Sequence, residues 1–258
     1  MTLILNVGTA LSAPALYLPD LGDDLLLDFD PDGLVGSLSN GDVVTSWQAG
    51  AGSLVNEEIG TFDTISGAVN FRSAGGPGGA PMVELGSDGR IKTFSGSYYP
   101  GFLAGPSSAT FSMLVRVTDP DAFVNSGAHR VLYCAPISGE SPFMVVRPSG
   151  SDRFYYGTNT GSANGGAAPD PTGWGILTVS LEDGVQYQWK NQTEDLVTTS
   201  VGATGDTLHG LVMGYQTGAL PSVDYLGLEI ARLRVWGRAL RANEIAAQHE
   251  LWTDQYGL

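Results

Sequence analysis

The sequence predicts an all-β fold: an antiparallel two-sheet jelly-roll sandwich, closed by a short C-terminal helix and preceded by an extended N-terminal arm. Glycine and proline are abundant, 36 and 14 among 258 residues, while charged residues make up only 15%. Many strands joined by tight turns have this balance, because Gly and Pro supply the bends. Short β-prone runs recur between clusters of Gly, Pro, Asp and Asn, most regularly from residue 109 onward. A helical pattern emerges only near the C-terminus.

Taken in order, residues 1–22 read as the arm, with Leu3, Ile4, Leu5, Val7 and Leu11 as its apolar anchors. No Lys or Arg precedes this run, and Asn6 and Gly8 interrupt it, unlike a signal peptide. An isolated apolar arm frays, so this one either lies on its own domain or docks on a neighbour, and docking is the expectation. Residues 23–258 form the domain. Residues 24–30 give a first strand that turns at Pro31-Asp32-Gly33, and residues 41–47 a β-prone run ending in Trp47. The Gly- and Pro-rich stretch 75–81 reads as a long surface loop.

Residues 110–117 form a strong strand before the turn Asp119-Pro120-Asp121, followed by strands at 130–135, 143–147 and 153–156. Runs 174–181 and 185–190 flank Asp183-Gly184, the best hairpin signal in the chain. The last strands are 208–215 and 227–236. Ile230, Leu233 and Val235 do not share one parity, so a bulge or two-sided burial is expected there. Asn243 is placed to cap a helix running to residue 251, with Ile245 and Leu251 facing inward. Trp236 would close one end of the core, and Leu240 and Ile245 would pin the helix over an edge.

A net charge of −15 repels phosphate backbones, which argues against a nucleic-acid partner. Cys134 is the sole cysteine, so an internal disulfide and a multi-cysteine zinc site are excluded; its apolar run suits a buried, inert thiol. No apolar run reaches the roughly 18 residues that a spanning helix needs, so membrane insertion is not expected. His129, His209 and His249 lack metal-ligand spacing, and phosphate-loop, nucleophile-elbow and HExxH patterns are absent.

The run from Leu228 through Trp236, Arg238-Ala239-Leu240 and Glu244-Ile245 resembles the closing motif of laminin-G-like domains, members of the concanavalin A-like lectin and glucanase superfamily. Residues 110–117 resemble that family's early strand, with Leu114 where Trp is common. Residues 174–190 resemble its central hairpin, and residues 41–47 the opening found in bacterial and phage versions. The likeness runs from about residue 24 to 252.

The resemblance implies no required cofactor and admits Ca²⁺ at one sandwich end, with Asp119, Asp121, Asp152 and Asp224 as candidate loop ligands. Its β-glucan hydrolases carry alternating carboxylates on one strand. Here Glu57-Glu58 are adjacent and Glu182-Asp183 lie in a turn, so an enzyme is not expected. A carbohydrate-binding rim would draw on Tyr98, Tyr99, Tyr155 and Tyr156, with Asn159 and Asn164 in a Gly-rich loop. Neighbouring strand residues face opposite ways, which sends at least one Tyr of each pair into the core.

The expected function is that of a non-enzymatic phage virion structural protein of the capsid decoration, head-fibre or tail-fibre type, with contacts to host surface glycans. Its partners would be other virion proteins, reached through the arm, and further copies of itself in a homotrimer. The alternative is a secreted or cell-surface carbohydrate-binding module; a glycoside hydrolase stands third.

Overall fold

The computed structural model describes residues 21–22, 24–86, 88–93, 101–103, 108–118, 128–134, 143–147, 153–158, 161–167, 173–182, 185–190, 193–198, 208–217 and 227–258. The arm anchors Leu3, Ile4, Leu5, Val7 and Leu11 lie outside them. In chain order the strands begin with β1 (Leu25–Phe29), β2 (Ser46–Gln48), β3 (Thr61–Ser66), β4 (Val69–Arg72), β5 (Met82–Leu85) and β6 (Arg90–Lys92). They continue with β7 (Gly101–Leu103), β8 (Ser108–Val117), β9 (Ala128–Cys134), β10 (Phe143–Arg147), β11 (Arg153–Thr158) and β12 (Gly161–Ala167). The last are β13 (Gly175–Glu182), β14 (Val185–Lys190), β15 (Thr193–Thr198), β16 (Leu208–His209), β17 (Leu211–Thr217) and β18 (Leu228–Trp236), before helix α1 (Ala242–Tyr256).

The first sheet runs β15-β14-β13-β8-β18-β5-β4, with β1 also paired to β18. The second runs β12-β11-β10-β9-β17-β6-β3-β2, and β7 pairs with β16 in a small third sheet. The two large sheets share one core, as an antiparallel sandwich requires. Alternation in β8 sends Phe111, Met113 and Val115 inward, where the buried cluster also takes in Phe62, Ile91 and Met213 of the facing sheet. Phe29 stands 4.4 Å from Phe62 and 5.5 Å from Trp47, between ring centroids. Trp47, expected to end a β-prone run, is buried, and its indole N–H reaches the Asp30 carbonyl at 3.4 Å.

Hairpin β13–β14 pairs Glu182 with Val185, the register that a two-residue Asp-Gly turn demands. Residues 208–215 are not one strand. Leu208 and His209 pair with β7, and the chain then enters the second sheet at Leu211. The stretch 75–81 holds a 3-10 turn, Pro77–Gly79, that packs on α1. At Gly78 (φ +62) a Cβ would stand 2.6 Å from the Tyr256 carbonyl, so only glycine permits this approach.

Strand β18 contains the expected irregularity. Ile230 pairs with Val115 and Arg232 with Leu114, which leaves Ala231 as the extra residue of a bulge. Leu228 and Ile230 before it, and Leu233 and Val235 after it, all enter the main core. Ala231 and Trp236 are buried on the opposite face, Ala231 with Leu114, Ile176, Trp252 and Tyr256, and Trp236 with Leu240 and Ile245. Helix α1 covers this part of the outer face.

Two features of α1 depart from expectation. Its N-cap is Arg241 rather than Asn243, and the Glu244 carboxylate accepts the Arg241 backbone N–H at 2.8 Å. Glu244 thereby satisfies a donor that an Asn cap would otherwise leave to water. Leu251 is 38% exposed, whereas the inward stripe is Ile245, Gln248, His249, Trp252 and Tyr256. The spacing is helical and Ile245 is buried as expected, but Gln248 meets the Arg234 guanidinium and His249 the Thr178 hydroxyl, so apolarity alone misplaces Leu251.

Candidate functional site

Of the residues expected to bind carbohydrate, Tyr155, Tyr156 and Asn164 fall in described strands; Tyr98, Tyr99 and Asn159 lie outside the described residues. Strands β10, β11 and β12 end the second sheet. Tyr156 pairs with Val145 on one side and Ala163 on the other. Val145 pairs with Leu132, Leu132 with Met213, and Met213 with Ile91, so the backbone of Tyr156 shares a transverse register with the buried Leu132, Met213 and Ile91. Tyr155 stands in the neighbouring row, between Val146 and Asn164. Asn164 therefore belongs to a strand and not to a loop. The composition of β12, Gly-Ser-Ala-Asn-Gly-Gly-Ala, conceals it, because glycine weakens strand propensity and is read as turn.

The charged groups with the fullest geometry lie between β1, β18 and α1. Pairing of β1 with β18 sets Asp28 opposite Arg234. Asp28 accepts from Arg232 Nε and Nη2 at 2.9 and 2.8 Å and from Arg234 Nε at 2.9 Å. Arg232 Nη1 reaches the Asp30 carboxylate at 2.6 Å. Burial opposes the Arg232 charge, but the Asp28 hydrogen bonds and the charges of Asp28 and Asp30 outweigh it and hold its pKa above the usual arginine range. Burial lowers Arg234 and raises Asp30 and Tyr256. Arg234 also donates to the Gln248 side chain at 2.9 Å. With each carboxylate claimed by guanidinium groups, this cluster ties the first strand, the last strand and the helix together.

Next to it runs a ladder of hydroxyls under α1. Thr110 pairs with Ser180 at 3.0 Å and Ser112 with Thr178 at 2.7 Å, and Thr178 meets His249 Nε2 at 2.7 Å. Thr110 accepts the Leu240 N–H at 2.8 Å, and Ser180 donates to the Leu240 carbonyl at 3.1 Å. Burial pushes His249 down to about 4. Hydroxyls at alternate positions of two strong strands were the available signal for this layer. Such a face reads as solvated, and only the covering helix makes it interior.

Asp119, Asp121, Asp152 and Asp224 lie outside the described residues. Among the described residues no group of three His, Cys, Asp or Glu is arranged to hold a metal ion, and no helix is long and apolar enough to cross a membrane.

These features define an antiparallel two-sheet β-sandwich closed by a C-terminal helix. No family model matches the chain, and no curated protein matches it. Solved structures do share its fold. Domain 4 of AbnA, a GH43 extracellular arabinanase from Geobacillus stearothermophilus, in complex with arabinotriose, superposes with a TM-score of 0.62 at 12% identity over 86% of this chain and 97% of that one. A botulinum neurotoxin type C structure, described as showing cell entry dependent on two ganglioside molecules, gives 0.62 at 11% over 91% and 53%. The binding domain of botulinum neurotoxin DC in complex with rat synaptotagmin II gives 0.59 at 12% over 89% and 52%. The chain thus spans about half of each of these two neurotoxin chains.

Proposed function

We propose that this chain is a non-enzymatic glycan-binding β-sandwich. The observation that carries the reading is the pairing of Tyr155 with Asn164 on the terminal hairpin of the second sheet, one register position away from Tyr156. An aromatic ring and an amide at one place supply what sugar recognition uses, a platform for the apolar ring face and paired donors and acceptors for hydroxyls. The fold shared with a domain solved with arabinotriose, and with a neurotoxin structure described through its gangliosides, supports the same reading.

Titration of the intact chain with arabino-oligosaccharides, preceded by a glycan array, tests it. Tyr155→Ala is expected to weaken binding about tenfold or more while leaving the melting temperature unchanged. Tyr156→Ala is expected to destabilise the fold by about 2–4 kcal/mol. Binding should be equal in EDTA and in Ca²⁺, since no cofactor is required; a loss in EDTA would instead place Ca²⁺ at the Asp119, Asp121, Asp152 and Asp224 loops. Release of reducing sugar, or an array on which the chain binds nothing, would end the proposal.

The apolar spacing of Leu3, Ile4, Leu5, Val7 and Leu11 favours a second, finer reading, in which the sandwich projects from a virion and residues 1–22 dock it on neighbouring proteins. The laminin-G-like closing motif at 228–245 supports it. Its test is incorporation into particles with and without the arm.

A further inference from the structure

We propose that the part of the first sheet's outer face left open by α1 is a second saccharide site, separate from the β11–β12 hairpin, and that it takes an uncharged oligosaccharide laid across the strands. This rests on the glycan-binding reading but on none of the hairpin residues. The site is one transverse row. Asn70 pairs with Glu84, Glu84 with Glu229, and Glu229 with Arg116. Trp174 extends the row, since the next residue, Gly175, pairs with Val115. From β4 to the edge of β13 the row crosses four strand spacings, about 19 Å, the reach of a short oligosaccharide.

Trp174 is half-buried against the Leu114–Trp252 cluster, with the Arg116 guanidinium 5.2 Å from its ring centroid. Among the described residues its indole N–H has no hydrogen-bond acceptor. Glu84 and Glu229 are direct cross-strand neighbours, an arrangement that like charges disfavour. The fold retains it by giving each carboxylate an arginine, Arg72 to Glu84 at 2.6 Å and Arg116 to Glu229. The part-exposed Glu84 carboxylate offers acceptors to a hydroxyl, the guanidinium groups offer donors to hydroxyl and ring oxygens, and the indole offers an apolar face, while the buried Glu229 holds Arg116 in place. With Arg72 from the neighbouring position of β4, two guanidinium groups balance the two carboxylates of the row, while the whole chain carries −15. Both facts favour a neutral polyhydroxyl ligand over an anionic glycan.

Calorimetric titration of the full chain with arabinotriose, xylotriose, cellotriose and sialyllactose tests the site. Glu84→Gln and Asn70→Ala alter half-exposed side chains and are expected to fold; each should weaken the best neutral ligand several-fold, about tenfold for Glu84→Gln. Trp174→Ala should cost about tenfold or more, and Trp174→Phe should recover most of it. Tyr155→Ala should leave this component intact. If Glu84→Gln, Asn70→Ala and Trp174→Phe all bind as the unaltered chain does, or if sialyllactose is preferred, the row is a structural latch and the proposal falls. Abolition of every signal by Tyr155→Ala alone would remove this site and keep the glycan-binding reading. An unaltered chain that binds no sugar would remove both.

Discussion

His249 has no exposed surface, and its imidazole is placed at 2.7 Å from Thr178 on a sheet face that α1 has closed to water. Burial disfavours its charged form and lowers its pKa from 6.5 to about 4. As pH falls below 6.5 the unfolded chain takes up a proton that the folded chain still refuses, so stability drops through the window from 6.5 to about 4 and this contribution is spent below it. The displacement corresponds to about 3 kcal/mol. Urea denaturation at pH 7 and at pH 4 is expected to show a larger loss in the unaltered chain than in His249→Gln. Equal losses would mean that the imidazole reaches solvent. Carboxylates titrate in both chains and cancel in the comparison.

At the scale of elements, the bulge in β18 reconciles one strand with two neighbours and two faces. Without Ala231, Leu228 and Ile230 could not share the core side with Leu233 and Val235, because strand side chains alternate. Deleting Ala231 should therefore invert one half of the strand. Either Leu233 and Val235 leave the core and Arg232 and Arg234, which hold Asp28, enter it, or Leu228 and Ile230 leave it and Glu229 enters. The expected outcome is a chain without a cooperative thermal transition; a melting curve like that of the full sequence would show that the bulge can migrate.

Strand β18 also shows what the sequence makes legible. Its broken parity is visible in the order of residues, as are the alternation of β8 and the Asp183-Gly184 hairpin. Strand β12 is hidden by its glycines, and β3 to β6 lie in a region whose short runs carry no strong period. The stripe of α1 escapes in part because Gln248 and His249 face a guanidinium and a hydroxyl, and the Glu84–Glu229 neighbours escape because strand pairing, not sequence spacing, brings them together. Tyr155 and Asn164 were legible as residue types, while their opposition required the register of β11 on β12.

For the whole molecule, the open question is where the sandwich ends and the arm begins. The fold already holds the chain at Leu21. The buried Trp236 indole donates to the Leu21 carbonyl at 2.8 Å, Leu21 packs beside Trp236, Leu240 and Ile245, and the Leu25 N–H reaches the Gly22 carbonyl at 3.2 Å. Asp24 adds a carbonyl that accepts the Gly237 N–H at 2.9 Å, so entry and closing corner are tied together. Removing residues 1–20 should leave the melting temperature unchanged if the arm serves a neighbour. Removing residues 1–22 deprives a fully buried indole N–H of its acceptor and should cost about 1–3 kcal/mol. In a chain of this size that is a fall of roughly 2–4 °C for each kcal/mol. Sedimentation of the two truncations beside the full chain separates the roles, because loss of self-association with retained stability after removal of 1–20 assigns the arm to assembly. If removal of 1–20 alone melts the sandwich, the arm belongs to its own domain and docking on a neighbour is wrong.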